Sequence, residues 1–284
     1  MKGAKGSASP RVMVALDGSS AAATALPVAL AVAEQLSARV QVLHVASARI
    51  AAPVLRRQLH VDSDELKGLE ISLQIGDPVS GILDATGEPG VEVVVLTTHG
   101  RVIEAGRELG RVARAVIAHT RQPILLVRPE ALRPAGPLRR LLLPLDGTPK
   151  TATALKPAAD LACRLAASID VLYVASPGQA PPGEPGSMGA PRYVDQAHHE
   201  WPNWAKEIVE RLCACAGLAA EVPVRVYLAQ GDIGSEIARF AAEHEDDAVI
   251  LVRRSHLEPG RARVLRAVLD RTSCPVLLVG APHD

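Results

Sequence analysis

Short runs of aliphatic residues alternate with longer Ala- and Leu-rich stretches along the first half of the chain. The runs have the length of strands and lie at 12–16 (VMVAL), 40–45 (VQVLHV), 69–75 (LEISLQI), 91–96 (VEVVVL) and 124–127 (ILLV). Helical stretches are expected to extend to about Ser37 and to begin at about Pro78 and Arg111. Strands that are apolar on both faces and joined by helices indicate a mostly parallel sheet covered on both sides.

The second half of the chain repeats the first half. Residues 140–176 match residues 11–47 at a constant offset of 129, and 17 of the 37 aligned positions are identical, among them Asp17 and Asp146. Such self-similarity indicates tandem copies of one supersecondary unit. The fold class that we expect is therefore α/β, with two tandem open, mostly parallel, doubly wound (Rossmann-like) domains.

The repeat also predicts the domain boundaries. We expect a first domain at 10–129, a Pro-rich linker at 130–138 and a second domain at 139–284. The second domain has a longer path between its second and third strands than the first. That path contains 176–191, whose Pro and Gly content predicts a mobile loop, and a Trp-containing amphipathic helix follows at 201–217.

The composition limits the class of protein. Of the 284 residues 48% are hydrophobic, and 31 basic residues balance 31 acidic ones. This composition excludes disorder throughout the chain and leaves ample material for aliphatic cores. Aromatic residues make up only 2% of the chain, and all of them lie beyond residue 170. Because a single-stranded nucleic-acid platform needs cationic grooves and aromatic stacking faces, we expect no nucleic-acid partner.

The sequence predicts a cytoplasmic protein. No apolar run approaches the ~18–20 residues that span a bilayer, so we expect no membrane association. The N-terminal MKGAKGSASP lacks the apolar segment of a signal peptide. The four cysteines, including Cys213 and Cys215, do not form a disulfide framework and are interpreted as reduced thiols.

Candidate ligand-binding residues follow the first and fourth strands. Asp17 ends the first strand, and His99 and Gly100 follow the fourth. Nine residues separate Gly100 from Gly110, and a helix is expected to begin at about Arg111. Ligands of open parallel sheets bind at the carboxyl ends of the strands, and a helix N-terminus favours a phosphate. One interpretation is a phosphate site in which His99 orients the phosphate, and the other is an ordinary turn before a glycine-capped helix.

With these residues the chain resembles the universal stress protein family. The resemblance rests on VALDGS at the end of the first strand, LHV at the end of the second, GDP before the third helix and the THG…G…QPILLV tail. It covers nearly the whole chain twice and so implies a tandem universal stress protein. The function that it implies is a role in stress response or regulation.

The resemblance also implies a ligand, which is ATP with Mg²⁺ or another adenine nucleotide. On the family pattern, Asp17 and Val45 would flank the adenine and ribose. Gly100 and Gly110, together with the residues that follow Gly110, would hold the phosphates. The candidate cofactor-binding residues are therefore Asp17, Val45, Thr97, His99, Gly100, Gly110, Arg111 and Val112.

Two residues of the first copy depart from the family pattern, which is Gly, two residues, Gly, nine residues, Gly, then Ser or Thr. Thr97 replaces the first glycine, so a Cβ stands where backbone approaches a ligand closely. Arg111 replaces the final Ser or Thr, and it either donates its guanidinium fork to a phosphate or fills the pocket. In the second copy, Ala262 and Arg263 occupy the positions of Gly110 and Arg111, which predicts a degenerate site.

We therefore expect a cytoplasmic regulatory protein that binds ATP or another adenine nucleotide in its first domain. We expect no enzyme activity beyond slow ATP hydrolysis, because no general base and no Ser–His–Asp arrangement can be inferred. The alternative is a protein-interaction module in which both sites are closed. In that case the loop 176–191 and the Trp-containing helix would bind the partner.

Two further expectations concern association and metals. The family resemblance implies that the domains pair through their last strands, PILLV and PVLLV, as an intramolecular pseudo-dimer, which would also protect apolar edge strands. A further homodimer stays open, and the sequence identifies no protein partner. The metal-ligand types at Asp195, His198, His199 and Glu200 do not predict a site, because adjacent histidines point apart on a helix.

Overall fold

In a computed structural model, the chain forms two compact units, unit 1 extending to Glu130 and unit 2 from Leu138. The structure describes residues 8–61, 66, 69–100, 109–130, 136–145, 155–175, 207, 210, 222–253 and 259–280. Both units alternate strands with helices, as the hydrophobic pattern predicts.

Unit 1 is built on a parallel sheet. Its strands are β1 (Arg11–Ala15), β2 (Arg39–Ala46), β3 (Glu70–Ile75), β4 (Val91–Thr97) and β5 (Ile124–Val127). Its helices are α1 (Ser20–Ala23), α2 (Ala25–Gln35), α3 (Ala52–Gln58), α4 (Pro78–Thr86) and α5 (Arg111–His119). The strand order is β3-β2-β1-β4-β5, and every neighbouring pair is parallel.

The core of unit 1 is aliphatic and lies around its middle strands. Val12, Met13 and Val14 of β1 are fully buried. The helix α2 packs against β1, β2 and β4, whereas α4 packs against β2 and α5. The continuous apolar runs of the sequence are the runs that such a buried parallel sheet requires.

The direction in which strands are added reverses between β1 and β4. From β1 the sheet extends through β2 to β3 on one side, and through β4 to β5 on the other side. The connections that leave β1 and β4 therefore run in opposite directions. A crevice opens at the carboxyl ends of these two strands, and open α/β sheets bind ligands at such a crevice.

The helices of unit 1 differ from the prediction at two places. The first predicted helix divides at Thr24 into α1 and α2 and ends at Gln35, before Ser37. The sequence predicts no helix where α3 lies. This short helix has Pro53 in its first turn, no side-chain N-cap bond and one buried side chain, Leu55, so its amphipathic pattern is weak.

Unit 2 repeats the arrangement of unit 1. Its strands are β6 (Arg140–Leu145), β7 (Ser168–Ala175), β8 (Val224–Gln230), β9 (Ala248–Arg253) and β10 (Val276–Gly280). The helices in its described part are α6 (Leu155–Leu165), α7 (Ile233–Glu243) and α8 (Pro259–Arg271). The sheet is parallel in the order β10-β9-β6-β7-β8. This is the order of unit 1 in the corresponding strands, so the expectation of two tandem parallel α/β domains is confirmed.

Candidate functional site

A cavity of about 620 Å³ opens at the carboxyl ends of β1, β2 and β4 in unit 1. Its volume lies within the range of roughly 300–1,000 Å³ that is typical of small-molecule sites. All eight residues that the sequence analysis selects for cofactor binding line this one cavity: Asp17, Val45, Thr97, His99, Gly100, Gly110, Arg111 and Val112. The fold thus brings together residues that are as far apart as 17 and 112 in the chain.

The loop after β1 holds the Asp17 carboxylate in place. Gly18 adopts a left-handed conformation with φ of 80°, which glycine tolerates without strain. The chain turns there, so that Asp17 Oδ1 accepts hydrogen bonds from the Ser19 backbone N–H at 2.9 Å and the Ser19 hydroxyl at 2.6 Å. The same hydroxyl accepts from the Ala22 N–H at 3.0 Å and caps α1. The helix cap therefore also orients the carboxylate at the cavity wall.

Gly100 is in direct contact with that carboxylate. A Cβ at residue 100 would overlap Asp17 Oδ2. The family resemblance implies that Gly100 helps to hold the phosphates. The geometry gives a further reason for glycine at this position, since any side chain there would displace Asp17.

The N-terminus of α5 faces the cavity from the other side. Gly110 is the N-cap residue, it makes no side-chain cap bond, and its N–H donates to the Thr98 carbonyl at 2.8 Å. The first backbone N–H groups of a helix have no carbonyl partner four residues earlier, so they favour an anion. A Cβ at Gly110 would lie 3.5 Å from the Thr98 carbonyl oxygen, which is an ordinary contact. The described residues of unit 1 therefore do not require glycine at residue 110.

Arg111 is the first residue of α5, and its side chain is exposed. Arg111 also lines the cavity, and both alternatives for this residue, a fork onto a phosphate and a side chain that fills the pocket, stay predictions. A cationic side chain therefore stands beside the positive end of α5. Val112, the next residue, also lines the cavity.

Both ring nitrogens of His99 already have partners in unit 1. Nδ1 lies 3.1 Å from the Thr98 hydroxyl, and Nε2 lies 2.7 Å from Glu130 Oε1. The pKa of the Glu130 carboxyl is below its ordinary value. Burial would raise this pKa, but hydrogen bonds from the Glu130 backbone and from His99, and the charges of His99 and Arg128, outweigh burial. To orient a phosphate, His99 would have to exchange one of these partners for it.

His44 is a cavity-lining residue that the sequence analysis does not select. It is 4% exposed, and its Nδ1 lies 2.7 Å from the Leu16 carbonyl oxygen. The Leu16 N–H in turn donates to the Leu43 carbonyl at 2.9 Å, so the ends of β1 and β2 are joined at the base of the cavity. Its sequence signals are its place in the LHV motif of the family resemblance and its polar side chain inside the apolar run 40–45, which it shares with Gln41.

Several expectations for the second domain lie outside the described residues. They concern Asp146, the loop 176–191, the Trp-containing helix, the cysteines at 213 and 215 and the residues 195–200. The side chain of Ala262 also lies outside them, whereas Arg263 is exposed on α8. Val174, the counterpart of Val45, is 6% exposed near the end of β7.

Within the described ranges, no helix is long and apolar enough to cross a membrane. In the same part of the chain, no three His, Cys, Asp or Glu side chains come together in a way that could hold a metal ion.

Comparisons with known proteins identify the family. The model of the universal stress protein family matches residues 9–128 and 137–280. No protein with a curated description matches the chain.

Solved structures of tandem length share the fold. A universal stress protein from Archaeoglobus fulgidus DSM 4304 is 14% identical, with 96% of this chain and 98% of that chain covered and a TM-score of 0.63. A protein assigned to the same family from Pseudomonas aeruginosa UCBPP-PA14 is 15% identical, with 96% and 94% covered and a TM-score of 0.59. At such identities the likeness establishes the fold alone.

Proposed function

The chain belongs to the universal stress protein family, and on this premise we propose that it is a stress-response or regulatory protein that binds an adenine nucleotide in unit 1. One observation carries the proposal. The eight residues selected by the family pattern line a single cavity of about 620 Å³ at the reversal of the strand order. Parallel strands bring such residues to one edge of the sheet, and at this edge they surround a cavity large enough for a small molecule.

The charges along the cavity fit a ligand with a neutral polar end and an anionic end. The Asp17 carboxylate and Val45 offer a hydrogen-bond acceptor and an apolar surface, which suit a base and its sugar. The N-terminus of α5 and the Arg111 guanidinium supply positive charge for phosphates. A nucleotide combines both kinds of group.

We propose binding with little or no turnover. Among the described residues that line the cavity, Asp17 is the one carboxylate, and two hydrogen bonds from Ser19 occupy its Oδ1. A general base for hydrolysis has to be close to an attacking water. The histidines of the described lining already have partners: His44 bonds the Leu16 carbonyl, and both ring nitrogens of His99 are bonded. Mg²⁺ would arrive with the phosphates of ATP, since no metal-binding cluster of side chains is found in the described part.

The proposal is tested by thermal unfolding of the full chain with ATP–Mg²⁺, ADP, AMP and cyclic AMP at millimolar concentration. A ligand that binds the folded protein raises the unfolding temperature as its concentration rises above Kd. We expect at least one of the four to do so, and GTP at the same concentration to have a smaller effect. If none of the adenine nucleotides changes the unfolding temperature, the proposed function is wrong.

A further inference from the structure

Thr97 is the last residue of β4 and lies at the crevice between β1 and β4. Val95 pairs with Val14 of β1 in the parallel register, and Thr97 lies two residues further along β4. Thr97 is 9% exposed and lines the cavity. On the family pattern this position is a glycine, so the methyl and hydroxyl groups here are features of this chain.

The other buried polar side chains of the cavity lining have hydrogen-bond partners. His44 bonds the Leu16 carbonyl, and the Thr98 hydroxyl bonds His99. Within the described ranges, the Thr97 hydroxyl has no such partner. Its oxygen is not one of the fully buried side-chain atoms that lack a partner, so it is accessible to a ligand. A ligand in the cavity would provide the missing partner.

We infer that the Thr97 hydroxyl donates a hydrogen bond to an oxygen atom of the bound nucleotide and thereby contributes to ligand selection. This inference rests on the proposed function. Thr97 lines the same cavity as Asp17 and the N-terminus of α5, and the carbonyl of the next residue, Thr98, accepts a hydrogen bond from the Gly110 N–H. The oxygen that it meets therefore belongs to the sugar or to the first phosphate, both of which accept a hydrogen bond from a hydroxyl.

Three substitutions separate the effect of the Thr97 hydroxyl on binding from the effect of the side-chain volume. Thr97→Val keeps the shape and removes the hydroxyl, Thr97→Ser keeps the hydroxyl, and Thr97→Gly removes both. We expect the Kd for AMP to rise about tenfold in Thr97→Val and in Thr97→Gly, and to stay within about threefold in Thr97→Ser. Thr86→Val is the matched control, since Thr86 is also buried but does not line the cavity.

Comparing the affinities for adenosine and AMP identifies the ligand oxygen that accepts the hydrogen bond from Thr97. If Thr97→Val weakens adenosine and AMP by the same factor, the acceptor is a sugar oxygen. If it weakens AMP alone, the acceptor belongs to the phosphate, and either result supports the inference.

Two results would overturn the inference while the proposed function stands. One is a Thr97→Val variant that binds AMP as the wild type does. The other is a Thr97→Gly variant that binds more tightly, because Thr97 would then only obstruct the ligand. If the wild-type chain binds none of the adenine compounds, the proposed function fails and the inference fails with it.

Discussion

The Asp17 carboxylate lies directly against the Cα of Gly100, with no room for a side chain between them. The loop after β1 and the loop after β4 therefore meet at the cavity wall. Asp17 is held from the other side by Ser19, which also caps α1. The position of one carboxylate thus depends on a glycine that is 83 residues further along the chain.

Gly100→Ala is expected to displace Asp17 and to lower both stability and nucleotide affinity. The added Cβ overlaps Asp17 Oδ2, and relieving such an overlap costs about 1–3 kcal/mol. Denaturant unfolding measures the loss of stability. Gly87→Ala is the control, because a Cβ at Gly87 makes only an ordinary contact, 3.4 Å from the Asp84 carbonyl oxygen. Equal stabilities for the two variants would refute the contact between Asp17 and Gly100.

The contact between His99 and Glu130 predicts a small pH-dependent effect. Because the pKa of Glu130 is lowered in the folded protein, its stabilising contribution is present above the ordinary carboxyl pKa of 4.5 and is lost as the pH falls through the folded value. We expect Glu130→Gln to lower the free energy of unfolding near pH 7. The loss should be less than about 1 kcal/mol, because the Glu130 side chain is 52% exposed. The difference from the wild type should vanish at pH values below the carboxyl range. A difference that grows on acidification would contradict this account.

Asp170 in unit 2 predicts a pH effect of the opposite sign. It is fully buried on β7, and neither carboxylate oxygen has a hydrogen-bond partner in the described part of the chain. Burial raises its pKa, although the charges of Arg225, Arg140 and His244 oppose this. The charged carboxylate therefore destabilises the fold at neutral pH, and this penalty disappears as the pH falls through the raised pKa towards the ordinary value of 3.8.

We therefore expect Asp170→Asn to raise the unfolding temperature at pH 7, by roughly 2–4 °C for each kcal/mol gained. The gain should shrink as the pH is lowered. In unit 1 the amide of Gln41 occupies the corresponding position and bonds Arg11 and Ser72, which shows that the fold accepts a neutral side chain there. A variant that is less stable than the wild type at pH 7 would show that the charge stabilises unit 2.

The strands and the cavity residues were predictable from sequence because their signals are local. Five aliphatic runs predict the strands of unit 1 to within one residue, and the repeat extends that prediction to unit 2. Asp17, Gly100 and Gly110 were selected from turn residues and spacing. The structure places them on one cavity, because parallel strands bring their carboxyl ends to one edge of the sheet.

The missed features depend on contacts between distant residues. His99 and Glu130 are 31 residues apart, and neither has a neighbour in sequence that predicts the pair. The bond from His44 to the Leu16 carbonyl likewise joins two strands. The packing of Gly100 on Asp17 has no local signal either, since spacing alone gives the same glycine another role.

The central claim is that the nucleotide binds in unit 1 beside the N-terminus of α5, and calorimetric titration of ATP–Mg²⁺ into Gly110→Trp tests it most directly. The indole would occupy the phosphate end of the cavity. Gly136→Trp is the control, because a Cβ at Gly136 meets open space. We predict about one site per chain in the wild type and in the control, and none in Gly110→Trp. Unchanged binding in Gly110→Trp, or no binding by the wild type, would contradict the account.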